Sequence, residues 1–434
     1  VGWWAVGASA SAAGLEAIEQ LALGDLLNLE VEVATRTPEQ ARQAAGLVAV
    51  LTQDDLRRAG ARDLADALRL LPEFELATDT WNTVGIAVRG NWAFESKVLV
   101  LIDGHEWNEL DYGTFTVGNR LPAYAIDRIE VIRGPGSAVY GGYASLAVVE
   151  VTTRAGSDWT GSRVDARASW LGSGVYGRQD VGVSGGYALG DDARFGITAD
   201  LGRGRRSDDP YRSVWGRSVD LTDGSDLDPG QVSASLDAGG LSAAVMVESY
   251  RTTHRDGYGA IGPTKPSDYL GAYANASWRV RLGPDWTLTP RGSFVWQQPW
   301  HAVGDAVPRE VWSADRVDRT RGGLDLTGAP SDHLDLRFGV EAGVERARVP
   351  TWEEWWWFPT GPTASFLFGA GWAQGILHTR PVNVTAGVRV DANGSYGEAI
   401  SPRLALTRAW DRAHAKLQLS RAFRAPGFQQ SKYA

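Results

Sequence analysis

The 434-residue chain is predicted to fold as a small α+β domain followed by an antiparallel transmembrane β-barrel. Three observations lead there. Helix and strand patterns are mixed up to residue 157, whereas from residue 158 almost every stretch alternates apolar and polar residues with period two. The alternating stretches are joined by connections that are short and long in turn, as in barrels with one trimmed rim and one rim of loops.

Composition agrees and narrows the chemistry. Apolar residues make up 43% and charged residues 22%, but 52 Gly and 19 Trp against one Met favour strands and turns over helices. With no cysteine, neither a disulfide framework nor a thiolate metal centre can form. A net charge of −9, from 43 basic and 52 acidic residues, leaves no electrostatic footprint for nucleic acid. The opening "VGWWAVGASASAA", residues 1–13, has an apolar run and an Ala8-Ser9-Ala10 pattern, which is expected to be the later part of a signal peptide. No stretch reaches the roughly 18 uninterrupted apolar residues of a membrane helix, so any crossing must be made by strands.

Within the first domain, Thr52 caps "QDDLRRAG" with Asp55 three residues on. Leu64, Ala67, Leu68 and Leu71 then fall on one helical face before Pro72. Two short helices are expected over 52–59 and 62–71. Strands are expected at Ile86–Arg89, Val98–Ile102, Ile129–Arg133 and Ala147–Thr153.

The second part is written in alternation. "LDLRFGVEAGVE" sets Leu334, Leu336, Phe338, Val340, Ala342 and Val344 against Asp335, Arg337, Glu341 and Glu345. "VNVTAGVRVD" does the same with Val382 to Val390 against Asn383, Thr385, Arg389 and Asp391. About thirteen such stretches lie between Arg163 and Phe423. Their short turns fall at 189–193, 283–285 and 328–332, and their long loops at 205–230, 251–268, 300–320 and 350–363. Tryptophans near strand ends (Trp159, Trp278, Trp286, Trp296, Trp300, Trp372, Trp410) are expected to form interface girdles.

"IDRIEVIRGPGSAVYGG" looks at first like a phosphate loop. A dinucleotide fingerprint needs a third glycine where Val139 stands and a helix where another strand is expected; a Walker loop needs Gly-Lys-Ser/Thr. Gly134, Pro135, Gly136, Tyr140 and Gly141 are instead read as a sharp turn between two strands, with Arg133 at its base.

"KVLVLIDGHEWNEL" and "LPAYAIDRIEVIRGPGSAVYGGYASLAVVEVTTRAG" together resemble the plug domain of TonB-dependent outer-membrane receptors. "LLNLEVEVATRTPEQ", "LTQDDLRRAGARDLADALRLLP" and "GIAVRGN" resemble its opening half, and "SRAFRAPGFQQ" a mid-barrel strand of the same family. The sequence departs from the family pattern at Glu150 and Val151, where asparagine and isoleucine are usual.

The resemblance implies a tether over residues 14–39, a plug over 40–157 and a partial barrel over 158–434, the chain being truncated at both ends since such barrels have about 22 strands. It implies an outer-membrane receptor of a Gram-negative bacterium that takes up a scarce, bulky nutrient, most often a ferric siderophore, with cobalamin or a glycan as other cargoes. Its partners would be the membrane lipid and a TonB-type periplasmic energy transducer. A structural or adhesive barrel without transport is the reading from another class.

The extended stretch Leu29, Glu30, Val31, Glu32, Val33, Ala34 and Thr35 is the TonB-box candidate, suited to adding a strand to a partner sheet or to being the plug's own first strand. By the same resemblance Arg89 and Arg133 are plug arginines that lock onto barrel acids, with Glu341 and Glu345 among the candidate partners. Trp352, Trp355, Trp356 and Trp357, in a long loop, are candidate ligand contacts or interface anchors. The six histidines are scattered and no nucleophile–base spacing stands out, so neither cofactor nor enzymatic chemistry is expected.

Overall fold

The structure, a computed structural model, describes residues 30–31, 39–40, 43–78, 84–93, 95–172, 176–190, 192–212, 216–222, 224–257, 260–303, 313–349, 361–379, 381–410 and 413–431. The expected signal segment and most of the tether lie outside the described residues, as do Trp352, Trp355, Trp356 and Trp357.

The N-terminal domain is built on a five-stranded sheet ordered Val48–Thr52, Ile126–Arg133, Ala147–Thr153, Val98–Ile102, His105–Glu106. Ala147–Thr153 runs parallel to Val98–Ile102, and the other pairs are antiparallel. Near-continuous Val, Leu and Ile make these central strands because both faces are covered. Thr52 does cap the helix Gln53–Ala59 in a capping box with Asp55, and Gly60 closes it in the left-handed conformation. The second helix is shorter than expected, Leu64–Leu68, because Asp63 takes the N-cap and Arg69 already ends it. A three-stranded sheet, Phe74–Thr78, Val84–Val88 and Asn91–Trp92, completes the domain.

From Gly161 onward, the described residues form one antiparallel sheet of 14 strands beside a two-stranded one. Thirteen follow one another in chain order from Gly161–Trp170 to His414–Ser420, and Val280–Arg281 pairs to the side of Trp286–His301. Its outward residues are the apolar ones: Val164 is 71% exposed and Leu367 75%, with Val247, Val340 and Leu419 also bare. Its other face buries Asp200, Gln231, Glu248, Arg319, Glu341, Arg389 and Arg403. This is the reverse of a soluble sandwich and the pattern of a wall with lipid outside and polar contents within. Among the described residues, no helix is long and apolar enough to cross a membrane.

Each part of that wall touches the N-terminal domain on the same face. Arg167 donates to the Arg62 carbonyl, Ser235 to the Ala155 carbonyl, and Asn275 to the Asp103 carbonyl at 3.0 Å. Further round, Gln297 donates to the Asn108 carbonyl at 3.1 Å, and Lys416 on the last strand to the Gly46 carbonyl at 2.8 Å. First and last strands of one sheet meet the same small domain only if the sheet curls around it. The domain is a plug, and its core is continuous with the wall: Met246, Tyr273, Val295 and Val317 join Leu64, Leu68, Val100, Ile129 and Val149 in one apolar cluster.

Three expectations are corrected. Residues 251–268, read as a long loop because they are polar, are mostly strand: Leu241–Gly257 and Ala260–Trp278 extend as a hairpin beyond the apolar band. Polarity marks exposure to water, and backbone pairing continues past the lipid. Trp300 and Trp372 are not girdle residues; Trp300 packs on Tyr269 and Tyr112, and Trp372 lies under Arg291 and Arg389 inside the wall. The glycine-rich connection is more than a turn, since one helical turn, Ser137–Tyr140, is inserted between strands that do pair as expected, Arg133 opposite Ala147.

Candidate functional site

The interface between plug and wall is the site, and it is assembled from charged side chains aimed inward by strand alternation. Arg319 and Arg321 are two apart on strand Arg316–Ser331, so both face the lumen. Each donates to plug Glu106, at 2.5 and 2.6 Å. Arg319 also holds wall Glu345 at 2.7 Å and stacks over plug Tyr143. Glu341 takes Arg291 at 2.7 Å and Arg389 at 2.6 Å, while Asp325 takes Arg291 and Arg337. The buried guanidiniums thus each have a carboxylate, which burial requires. Burial alone would push the Glu106 carboxyl up, but Arg321 and Arg319 outweigh it and hold it below the usual carboxylate range.

A second contact reverses the polarity. Plug Arg120 donates to wall Glu248 at 2.6 Å and stacks between Trp107 and Tyr250, its carbon 4.0 and 4.8 Å from the ring centres. Glu248 also accepts from Trp107 Nε1 at 2.9 Å and Tyr273 Oη at 2.8 Å. A third is made by buried Asp63, which caps its helix, accepts the Asn119 amide at 2.7 Å and meets wall Arg178.

The glycine-rich connection packs closely against wall strand Asn383–Asn393 and against the segment that follows the last wall strand. A Cβ on Gly142 would lie 2.5 Å from that of Ala425, and one on Gly141, whose φ is +84°, would lie 3.2 Å from the Arg389 guanidinium. The Ala425 amide donates to the Gly142 carbonyl at 2.9 Å. Glycine serves there because backbone meets wall directly. Gly134 (φ +137°) and Gly136 sit at the start of the connection, Pro135 between them, and Tyr140 is buried beneath the sheet with Leu99, Ile132 and Val148.

Arg89 and Arg133 do not lock the plug to the wall. Both converge on Glu73 of the plug itself, at 2.8 and 3.5 Å. Arg89 follows strand Val84–Val88 and Arg133 ends strand Ile126–Arg133, and both reach an acid of their own domain. The lock residues instead are Glu106, Arg120 and Asp63 from the plug, and Glu341 and Glu345 hold wall arginines. Glu106 lay in plain view in "IDGHEW", but its partners, more than 200 positions away, carry no local signal.

Of the TonB-box candidate, Glu30–Val31 pairs antiparallel with Glu39–Gln40, and Val31 is buried against Ala44, Val48 and Val50. Leu29 and residues 32–35 lie outside the described residues. Just beyond, wall side chains hold the plug's entry: Arg403 donates to the Ala45 carbonyl and Thr407 to that of Gln43 at 3.2 Å.

At the long-loop rim a cleft of about 320 Å³ opens between helix Leu64–Leu68 and the wall. Five arginines line it (Arg62, Arg69, Arg178, Arg205, Arg206). Arg62 and Arg69 pair with Asp66, Arg178 with Asp63 and Arg205 with Asp226.

Comparison with known proteins places these features. Residues 40–148 match the TonB-dependent Receptor Plug Domain family. The Vitamin B12 transporter BtuB of Vibrio cholerae is 27% identical over 183 residues, 42% of this chain and 28% of that protein. Among solved structures, the siderophore receptor PirA of Pseudomonas aeruginosa is 18% identical with a TM-score of 0.64, covering 89% of this chain and 63% of that one. The ferric enterobactin receptor PfeA of the same species gives 17% and 0.67 with the same coverage, and the alcaligin receptor FauA of Bordetella pertussis 16% and 0.65, covering 92% and 66%. The match thus spans less than a third of the curated relative's length and under two thirds of the first solved receptor's.

Proposed function

The chain belongs to the TonB-dependent receptors, and from that premise we propose that it serves energised uptake of a bulky nutrient across the outer membrane. One observation carries the reading: the lumen is filled by a plug held through buried ion pairs, Glu106 with Arg319 and Arg321, and Arg120 with Glu248. Such a stopper blocks free diffusion, and freeing a buried charge from its partner costs several kcal/mol per pair. Work must therefore enter from outside the protein. An adhesin or structural barrel has no use for a breakable stopper.

The input point is the tether. A periplasmic transducer would take the Leu29–Thr35 stretch by adding it to its own sheet edge. Because Glu30–Val31 is already paired with Glu39–Gln40, that capture is an exchange of strand partners. As cargo we favour an anionic chelate such as a ferric siderophore, because the cleft at the loop rim is lined by Arg62, Arg69, Arg178, Arg205 and Arg206. The cobalamin reading keeps one specific support, the likeness to BtuB.

The test is uptake by cells carrying this gene, with ferric siderophores and cobalamin offered in parallel, with and without the transducer. Energised uptake is expected to vanish without the transducer and on deletion of Leu29–Thr35, with surface abundance unchanged. Uptake that persists in the transducer-deleted strain overturns the proposal, and uptake of cobalamin alone overturns the anionic cargo.

A further inference from the structure

Between Arg316 and Arg348 the outer face of the wall changes character within one residue row. Val317 and Ala347 are register partners and both are buried in the plug-side core. Their neighbours on each strand therefore face away from the plug: Arg316 opposite Arg348, and Asp318 opposite Arg346. The row next inward along the strands is Phe294, Thr320, Val344 and Leu367, mostly apolar. The next row toward the loops is Trp296, Asp318, Arg346 and Ser365, and beyond it Arg316, Arg348 and Thr363. An outward tryptophan beside the first charged row marks the boundary between hydrocarbon and headgroups.

Arg316, Arg346 and Arg348 are all exposed. Among the described residues, the acid on this face of the two strands above the apolar rows is Asp318, which pairs with Arg346 at 3.3 Å. Arg316 and Arg348 are left directly across from each other, a like-charge placement that destabilises a sheet unless an anion sits between them. A few positions away on the same outer face, Arg251 pairs with Asp268 at 2.7 Å and needs no such anion.

We infer that Arg316 and Arg348, with Arg346 beside them, form a binding site for the phosphate of a lipid headgroup in the leaflet at the long-loop rim. Two arginines at paired register positions above an apolar slope match a phosphate whose acyl chains lie along Val344 and Leu367. The site rests on the reading of the wall as a membrane barrel.

The experiment uses the full chain in detergent, incubated with diphosphorylated lipid A, with its dephosphorylated counterpart or with inorganic phosphate, and retained ligand is read by native mass spectrometry. Wild type is expected to retain the phosphorylated lipid. The Arg316→Gln/Arg348→Gln variant should retain it about thirtyfold less well, since each arginine near a charged leaflet contributes about fivefold. Arg251→Gln should leave retention unchanged, and Arg316→Lys/Arg348→Lys should fall between, keeping charge without the planar fork. Equal retention by the glutamine variant, equal retention of dephosphorylated lipid, or saturation by inorganic phosphate alone would each overturn the site. Insertion of the same proteins into phosphatidylcholine vesicles, read by protease protection, tests the barrel separately: proteins that insert but do not discriminate phosphate refute only the site.

Discussion

Glu106 of the plug lies 2.5 Å from Arg319 of the wall, a residue 213 positions later in the chain. The pair joins two parts of the protein that no local sequence pattern connects. Glu106→Gln is expected to destabilise the seated plug by roughly 3 kcal/mol, the lower end for breaking one side of a buried pair. The figure is low because Arg319 keeps Glu345 and Arg321 keeps Glu341. Hydrogen exchange of plug amides in detergent measures it. Arg89→Gln provides the contrast: its partner is Glu73 and the pair is half-exposed, so less than about 1 kcal/mol should be lost. A larger effect at Arg89 than at Glu106 would restore the lock expected from sequence.

Arg120→Lys is expected to cost about 2 kcal/mol although the charge is kept. The guanidinium donates to Glu248 and to Thr116 at once while stacking on Trp107, and an ammonium cannot do all three. Exchange rates over residues 107–120 should rise selectively, leaving those of the sheet strand Ile126–Arg133 unchanged.

Gly142→Ala tests the close seat. A methyl 2.5 Å from the Ala425 Cβ must push the connection off the wall, at roughly 1–3 kcal/mol by the ordinary cost of overpacking. An unchanged unfolding midpoint would mean that the connection does not rest on residues 423–425.

The plug's stability should vary with pH through Asp103. Burial, opposed by hydrogen bonds from Thr153, pushes its carboxyl from 3.8 up to about 6. Its raised value means that folding favours the protonated form. That stability is complete below about 4 and is lost as pH rises through 6. Asp103→Asn should flatten the slope between those values in unfolding titrations, and an unaltered slope would refute the assignment.

Much of this architecture was legible in the sequence because it rests on local rules. The Thr52–Asp55 cap, the continuous apolar strands Val98–Ile102 and Ala147–Thr153, and the two-residue alternation of the wall each need only neighbours along the chain to be read. Even the inward direction of Glu341 and Glu345 followed from that alternation. Tertiary structure alone decided which charge meets which. Arg89 and Arg133 share an intradomain acid, and Glu106 finds two arginines on a wall strand, because a curled sheet brings distant residues together according to its register and curvature. Local pattern fixes which face of a strand a side chain occupies, and only the closed packing of plug against wall supplies the atom it must pair with once water is gone.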